Sequence, residues 1–241
     1  MVHWVGSSIG SLRERDLSES ILMSKLTNAL AASCLLAVSM TEAANAAPGR
    51  TDFEILMNGR AIGHHIVTVS EAGGITTARI SIDMAGRVGP IGFTYSHRCE
   101  EEWRGAQLLK LDCTDRENRS TKTLSGNLVG ANFVVNGSGF KGNAPATILP
   151  TSWWRFATTR QTRIMNSRDG KQTSLNVSRV GVETVVTAAG PIQATHFRVR
   201  GPASTELYYD ASGRWVGNTF RLAGQSFMYR MITPIAGAPR D

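Results

Sequence analysis

Two cysteines, Cys99 and Cys113, occur in one stretch of sequence together with His97. Thiolates and an imidazole can bind a metal ion, and two thiols can form a redox-active pair or a disulfide. A redox pair normally has the spacing C-x-x-C, and a zinc site needs two further ligands at compatible spacing, so neither pattern is complete. The residues therefore favour a structural disulfide. A metal site that includes His97, or two buried free thiols, are the alternatives.

His97 and Glu101 are the second candidate for chemistry. Alternate residues of a strand share a face, so these two side chains point to the same side as Tyr95 and Trp103. A histidine beside a carboxylate can act as an acid-base pair, as in a hydrolase. The alternatives are a buried histidine that is hydrogen-bonded to glutamate, or a polar rim at the mouth of a barrel.

His64 and His65 are neighbours on a strand and point to opposite faces, so they cannot chelate one metal ion. The sequence contains no nucleophile elbow, zinc-protease motif, phosphate-binding loop or dinucleotide fingerprint. We therefore predict no catalytic residues, no metal and no cofactor.

Residues 150–159 carry a cluster of large aromatic side chains and predict one short helix with Thr151 or Ser152 as its N-cap. Small-molecule sites are mostly apolar and often lie in the mouths of β-barrels, so such a helix could face a ligand. The alternative is that the rings only cover the core. Six residues form the predicted ligand site: Trp153, Trp154, Phe156, Tyr95, His97 and Trp103.

The elements that position these residues are strands. Turn-forming pairs such as Asn58-Gly59, Gly105-Ala106 and Ser212-Gly213 recur about every ten residues, and segments rich in Val, Ile, Thr and aromatics lie between them. Several segments alternate apolar and polar residues, which is typical of antiparallel sheets with one buried face. The sequence predicts an all-β fold: a single antiparallel, strongly curved sheet or open β-barrel with one short helix at its mouth.

The pair Gly105-Ala106 predicts a hairpin between residues 93–104 and 107–114. Each cysteine lies on the more apolar face of its own strand. A bulge or an odd-length loop would place the two sulfur atoms opposite each other, as the disulfide requires.

Residues 23–47 have the layout of a secretory signal peptide, with a basic start at Lys25, an apolar centre and the cleavage pattern Ala44-Asn45-Ala46. The apolar part is too short to span a bilayer. We expect an upstream segment plus signal peptide over residues 1–46, cleavage after Ala46, a β-rich domain over 47–233 and a flexible tail over 234–241. The expected location is the periplasm; a lipid anchor at Cys34 is the alternative.

The formal net charge is +7 at pH 7, and the basic residues are scattered without a run of five like charges. Such a chain can be attracted to an anionic surface. No nucleic-acid recognition motif accompanies the charge, so nucleic acid is not an expected partner.

Five pieces of the sequence resemble an uncharacterised family of exported proteobacterial proteins, the domain-of-unknown-function family numbered 6134: FEILMNGRAIGHHIVTV, FTYSHRCEEEW, LPTSWW, IMNSRDG and TELYYDASGRWVGNTFR. The resemblance covers nearly all of residues 51–232. It implies a signal peptide followed by one β-rich domain and supplies no catalytic residues. The strand layout is more loosely similar to half-barrel envelope proteins that carry lipids.

From these observations we predict a non-catalytic binding or chaperone-like protein for an apolar or amphiphilic envelope ligand, such as a lipid. A structural or interaction protein that docks to an envelope partner is the alternative. A hydrolase that uses His97 and Glu101 is the third hypothesis.

Overall fold

The computed structural model describes residues 49–201 and 204–233. The predicted signal peptide, Cys34, and the predicted tail lie outside the described residues. The described elements are β1 (Gly49–Met57), β2 (Arg60–Ala72), β3 (Ile75–Val88), β4 (Ile91–Arg104), β5 (Gln107–Glu117), β6 (Ser120–Val129), β7 (Asn132–Gly137), β8 (Lys141–Pro145), a 3₁₀ helix (Phe156–Arg160), β9 (Arg163–Met165), β10 (Gln172–Ser174), β11 (Asn176–Thr187), β12 (Gly190–Arg200), β13 (Thr205–Tyr209), β14 (Trp215–Leu222) and β15 (Gln225–Thr233).

Thirteen of the strands form one antiparallel sheet, in the order β11-β12-β13-β14-β15-β1-β2-β3-β4-β5-β6-β7-β8. The chain enters the sheet in its middle, at β1, and returns at its end so that β15 pairs with β1. Strands β1 to β8 are neighbours in the sheet in the order of the chain, and each adjacent pair forms a hairpin. The two edge strands, β8 and β11, are not hydrogen-bonded to each other, so the sheet stays open. The predicted all-β class and open antiparallel sheet are confirmed.

One face of the sheet carries the core. Strand β1 shows the reason, since its burial alternates strictly and places Phe53 and Ile55 inside. Trp103, Phe133 and Tyr209 are the largest fully buried side chains on other strands. The part of the chain that the structure describes contains no helix with the length and apolarity needed to cross a membrane.

The turn chemistry matches the sequence at the β1–β2 hairpin. Asn58 and Gly59 both have positive φ, 49° and 82°, as a two-residue type I′ turn requires. The carboxamide of Asn58 also accepts a hydrogen bond from the backbone of Ser226 at 2.9 Å, which ties this turn to β15.

The predicted hairpin of β4 and β5 is formed around Gly105-Ala106, and a register shift lies between Glu102 and Trp103. This bulge places Cys99 directly opposite Cys113, and the two residues form a disulfide. Both sulfurs are therefore structural. His97, Cys99 and Cys113 lie close together, but a disulfide leaves no thiolate to bind a metal.

Residues 146–175, which we call the crossing segment, connect β8 to β11 and pack against the core through Leu149, Trp154 and Met165. The segment contains the 3₁₀ helix and the small β9–β10 hairpin, with Pro150 bridged to Met165.

The predicted helix over residues 150–159 was wrong in its position. The helical turn begins only at Phe156, and Trp153 has a φ of 62°, which is incompatible with a helix that starts at Thr151. The hydroxyl of Thr151 lies 3.0 Å from that of Ser167 instead of capping a helix. The 3₁₀ helix has no side-chain cap.

Breaking the disulfide should lower the free energy of unfolding by about 3 kcal/mol, because the bond closes a short loop in the unfolded chain. Urea denaturation of the oxidised and the reduced wild-type protein measures this difference without changing any side chain. The double variant Cys99→Ala/Cys113→Ala should be at least as destabilised as the reduced protein. Equal stability of the oxidised and reduced forms would contradict the prediction.

Candidate ligand-binding cavity

The sheet register sets five residues in one row across the buried face of β1 to β5: Phe53, His65, Ile82, His97 and Asp115. Neighbouring strands lie about 4.8 Å apart, so His65 and His97 are separated by roughly 10 Å with Ile82 between them. Both histidines and the aspartate are buried. The row therefore brings three polar side chains into the interior from strands that are far apart in sequence.

A cavity of about 510 Å³ lies over this row. Strands β2 to β4 supply one wall, with His65, Ile82 and His97. The crossing segment supplies the second, with Trp153 and Arg168. Strands β14 and β15 supply the third wall, whose members are Asn218, Phe220, Arg221, Leu222 and Tyr229.

His65 is 3% exposed, and neither of its ring nitrogens has a hydrogen-bond partner among the described residues. Its ring is enclosed by the rings of Phe53, Trp215 and Tyr229, at centroid distances of 5.9, 5.1 and 5.5 Å. Burial, with a smaller contribution from His97, lowers the pKa of His65 to about 3. The imidazole is therefore neutral at physiological pH.

His97 lies in a more polar corner of the cavity. Its Nδ1 is 3.4 Å from Oδ2 of Asp115, and Arg168 donates to the other oxygen of Asp115 at 3.1 Å. Burial favours a higher pKa for Asp115, but hydrogen bonds from His97 and Tyr95 and the charge of Arg168 outweigh it and hold the pKa below its usual value. Burial also raises the pKa of the Tyr95 hydroxyl.

The predicted pair of His97 and Glu101 is not formed among the described residues, because four residues of the extended strand β4 separate the two by about 13 Å. The carboxylate opposite His97, on the neighbouring strand, is that of Asp115. Glu101 is fully buried and lies opposite Leu111. Its carboxylate accepts hydrogen bonds from the indole nitrogens of Trp103 at 3.0 Å and Trp154 at 2.8 Å. Glu101 is thus an anchor for the crossing segment.

Arg155 completes this anchor, with its guanidinium carbon 4.3 Å from the ring centroid of Trp103 and 5.1 Å from that of Trp154. It also donates to the carbonyl of Gly105 at 3.1 Å, at the turn between β4 and β5. Burial raises the pKa of Glu101, against hydrogen bonds from Trp154, Ser152 and Trp103 that lower it.

Three of the six predicted ligand residues, Tyr95, His97 and Trp153, line the cavity. Trp103 and Trp154 are packed around Glu101. Phe156 packs edge-on against Phe197 and Tyr209, at 5.7 and 5.3 Å. A role for any of the six in ligand binding stays a prediction.

Four residues of the site were not predicted from the sequence: His65, Arg168 and Asn218, which line the cavity, and Asp115, which contacts His97 and Arg168 behind its wall. His65 had a usable signal, because it alternates with the apolar Val67 and Val69 on β2 and so falls on the buried face. The other three become neighbours only through the register of distant strands and the path of the crossing segment.

The fold and the cavity define an open antiparallel β-barrel-like domain with a polar and apolar interior site. A protein-family profile described as a domain of unknown function, DUF6134, matches residues 53–232. The chain belongs to this family, which confirms the resemblance seen in the sequence.

The crystal structure of a β-barrel-like protein of the domain of unknown function DUF1849 from Brucella abortus is similar in fold. Its TM-score is 0.60, at 8% sequence identity, and the match covers 80% of this chain and 98% of that chain. At this identity the likeness shows the fold alone. Comparison with curated proteins gives no match.

Trp154→Phe should lower the free energy of unfolding by about 1–3 kcal/mol, because it removes an indole N–H from a buried carboxylate. The matched control is Trp153→Phe, at a ring that has no such hydrogen bond to Glu101 and should lose less stability. Urea denaturation of both variants measures the difference. A larger loss for Trp153→Phe would contradict the role of Glu101 as the anchor.

The buried neutral state of His65 predicts an acid sensitivity of the fold. Below its ordinary pKa of 6.5 the unfolded chain binds a proton at His65 that the folded protein does not bind until about pH 3. Stability should therefore fall as the pH drops from about 6.5 to 3, by up to about 1.4 kcal/mol per pH unit from this residue. His65→Gln should reduce this slope and His64→Gln, at an exposed position, should not. Equal slopes in the two variants would contradict the prediction.

Proposed function

We propose that the protein is a non-catalytic binding protein that carries a small amphiphilic molecule of the cell envelope in the cavity between the sheet and the crossing segment. The observation that supports this function is the pair of buried polar side chains, His65 and Asn218, that line the cavity and retain unpartnered hydrogen-bonding atoms among the described residues. An unpartnered buried polar atom costs about 1–3 kcal/mol. An unpartnered buried group in a native structure calls for an explanation, and a bound molecule that completes its hydrogen bonding is one.

The size and lining of the cavity suit this role. Small-molecule sites have volumes of about 300–1,000 Å³ and are mostly apolar with a few placed polar groups. Ile80, Ile82 and Phe220 provide apolar wall, and Arg221 adds an exposed cation to the lining. A molecule with both an apolar part and a polar part matches these walls.

Trp153 supports the role of the cavity independently. Its φ of 62° is rare for a large side chain and costs of order 1–3 kcal/mol, which is typical of residues held in place at functional sites. The hydroxyl of Tyr209 donates to its carbonyl at 2.8 Å, and the next residue, Trp154, is bound to Glu101. These two contacts hold the Trp153 carbonyl and the residue that follows it, beside the cavity.

The proposed location is the periplasm. Cys99 and Cys113 form a disulfide, and disulfides persist in oxidising compartments such as the periplasm. The predicted signal peptide leads to the same compartment.

Docking to an envelope partner is the second candidate, because β11 is an edge strand with three exposed valines, Val180, Val182 and Val186. A strand with these features can accept an added strand from a partner. However, a register irregularity between Arg179 and Gly181 interrupts β11, and such bulges protect natural edges from pairing. We therefore favour the ligand carrier.

Native mass spectrometry of the protein purified from its own periplasm, before and after organic extraction, tests the carrier. A small molecule should be bound before extraction and lost afterwards. Ile82→Trp should abolish this bound mass by filling the cavity. The control Ile66→Trp lies on the other face of the neighbouring strand, opposite Ser81, and should keep the ligand.

Circular dichroism establishes that both variants are folded. A clean protein mass in the wild type, or a ligand that remains bound to folded Ile82→Trp, would overturn the proposed function.

A further inference from the structure

We infer that the cavity recognises an uncharged hydroxyl or amide group at His65 and Asn218, so that its ligand is an amphiphile with a neutral polar head. The inference rests on the proposed function and specifies the chemical class of the ligand.

His65 is built to bind such a group. A neutral imidazole offers one N–H donor and one nitrogen acceptor, and both nitrogens of His65 lack partners among the described residues. Its low pKa keeps the ring in this form. A hydroxyl group can accept a hydrogen bond from such a ring or donate one to it, and an amide can do the same.

Asn218 adds a second acceptor to the cavity lining. Its Nδ2 lies 3.5 Å from the hydroxyl of Thr205, and its Oδ1 has no partner among the described residues. Asn218 is buried on β14 and lines the same cavity as His65 of β2. The wall thus presents two uncharged groups with free hydrogen-bonding atoms.

A charged head would be poorly stabilised beside His65. Three aromatic rings surround the imidazole, and burying an unpaired charge in such surroundings is costly. The charge of the cavity-lining Arg168 is already paired with Asp115, and Arg168 also contacts Glu117 at 2.6 Å.

Arg221 is the second cavity-lining cation, after Arg168, and it would attract an anionic head. Its side chain is exposed, so an anion held there would keep its contact with water and would not reach His65. A neutral head bound at His65 and an anionic head bound at Arg221 therefore differ in the preferred ligand and in the residue that determines the affinity.

Isothermal titration calorimetry of the extracted protein distinguishes a neutral head bound at His65 from an anionic head bound at Arg221. Three ten-carbon amphiphiles are compared, each below its micelle concentration: 1-decanoylglycerol, decanoate and decyltrimethylammonium. The neutral glyceride should bind at least about tenfold more tightly than either ion, which corresponds to the loss of one buried hydrogen bond.

His65→Phe should weaken glyceride binding by about tenfold and His65→Gln should restore part of it, because an amide again offers a donor and an acceptor. The control His64→Phe changes the neighbouring exposed histidine on the opposite face and should leave the affinity unchanged. A structural role of His65 alone would not give this rescue or the change in preference between heads.

Tighter binding of decanoate, lost in Arg221→Gln but kept in His65→Phe, would overturn the inference and leave the carrier function standing. Binding of none of the three compounds would overturn both. Equal effects of His65→Phe and His64→Phe on glyceride affinity would also overturn the inference.

Discussion

The contact between the Glu101 carboxylate and two indole N–H groups determines where the crossing segment packs against the buried face of the sheet. A fully buried carboxylate is tolerated only with donors around it, and here one donor comes from Trp103 of the same strand and one from Trp154 of the crossing segment. Arg155 reaches the turn at Gly105 from the same segment. The crossing segment is therefore fixed to the β4–β5 hairpin at one end of the buried face, and the row that contains His65 and His97 is left to line a cavity.

The interior consequently contains polar groups of two kinds. At Glu101, one carboxylate oxygen accepts hydrogen bonds from two indole groups of the protein itself, and this cluster joins distant parts of the chain. At His65 the surroundings are aromatic, and the protein supplies no partner within the described residues. The first arrangement explains stability and the second does not, because a neutral apolar residue at position 65 would avoid the same penalty. A polar residue that weakens the fold where it stands supports the proposed ligand site, where a bound group would supply the missing partner.

The sequence predicted the features that depend on short-range rules. The Asn58-Gly59 turn, the alternation within strands and the β4–β5 hairpin with its disulfide all follow from residues that are close in the chain. The helix at residues 150–159 was misplaced, because capping residues and aromatic spacing do not report that Trp153 takes a left-handed backbone conformation under contacts from Tyr209 and Glu101. The pairing of His97 with Asp115 depends on the bulge at Trp103, which shifts the register relative to the β4–β5 turn. The position of Asn218 relative to His65 depends on the pairing of β15 with β1, the last and the first of the described strands.

The pairing of β15 with β1 also limits where the ligand of the proposed carrier could enter. Strands β1 to β8 and β11 to β15 are joined through a continuous ladder at β1 and β15, whereas their outer edges, β8 and β11, are bridged by the crossing segment and not by sheet hydrogen bonds. Glu101 and Gly105 fix the crossing segment at Trp154 and Arg155, but moving a stretch of it beyond those contacts breaks fewer backbone hydrogen bonds than separating two paired strands. Trp153 lies on that segment, faces the cavity and already adopts a strained backbone conformation. In the proposed carrier, the stretch around Trp153 is the part of the crossing segment that we expect to admit the ligand, while the Glu101 anchor holds the neighbouring residue.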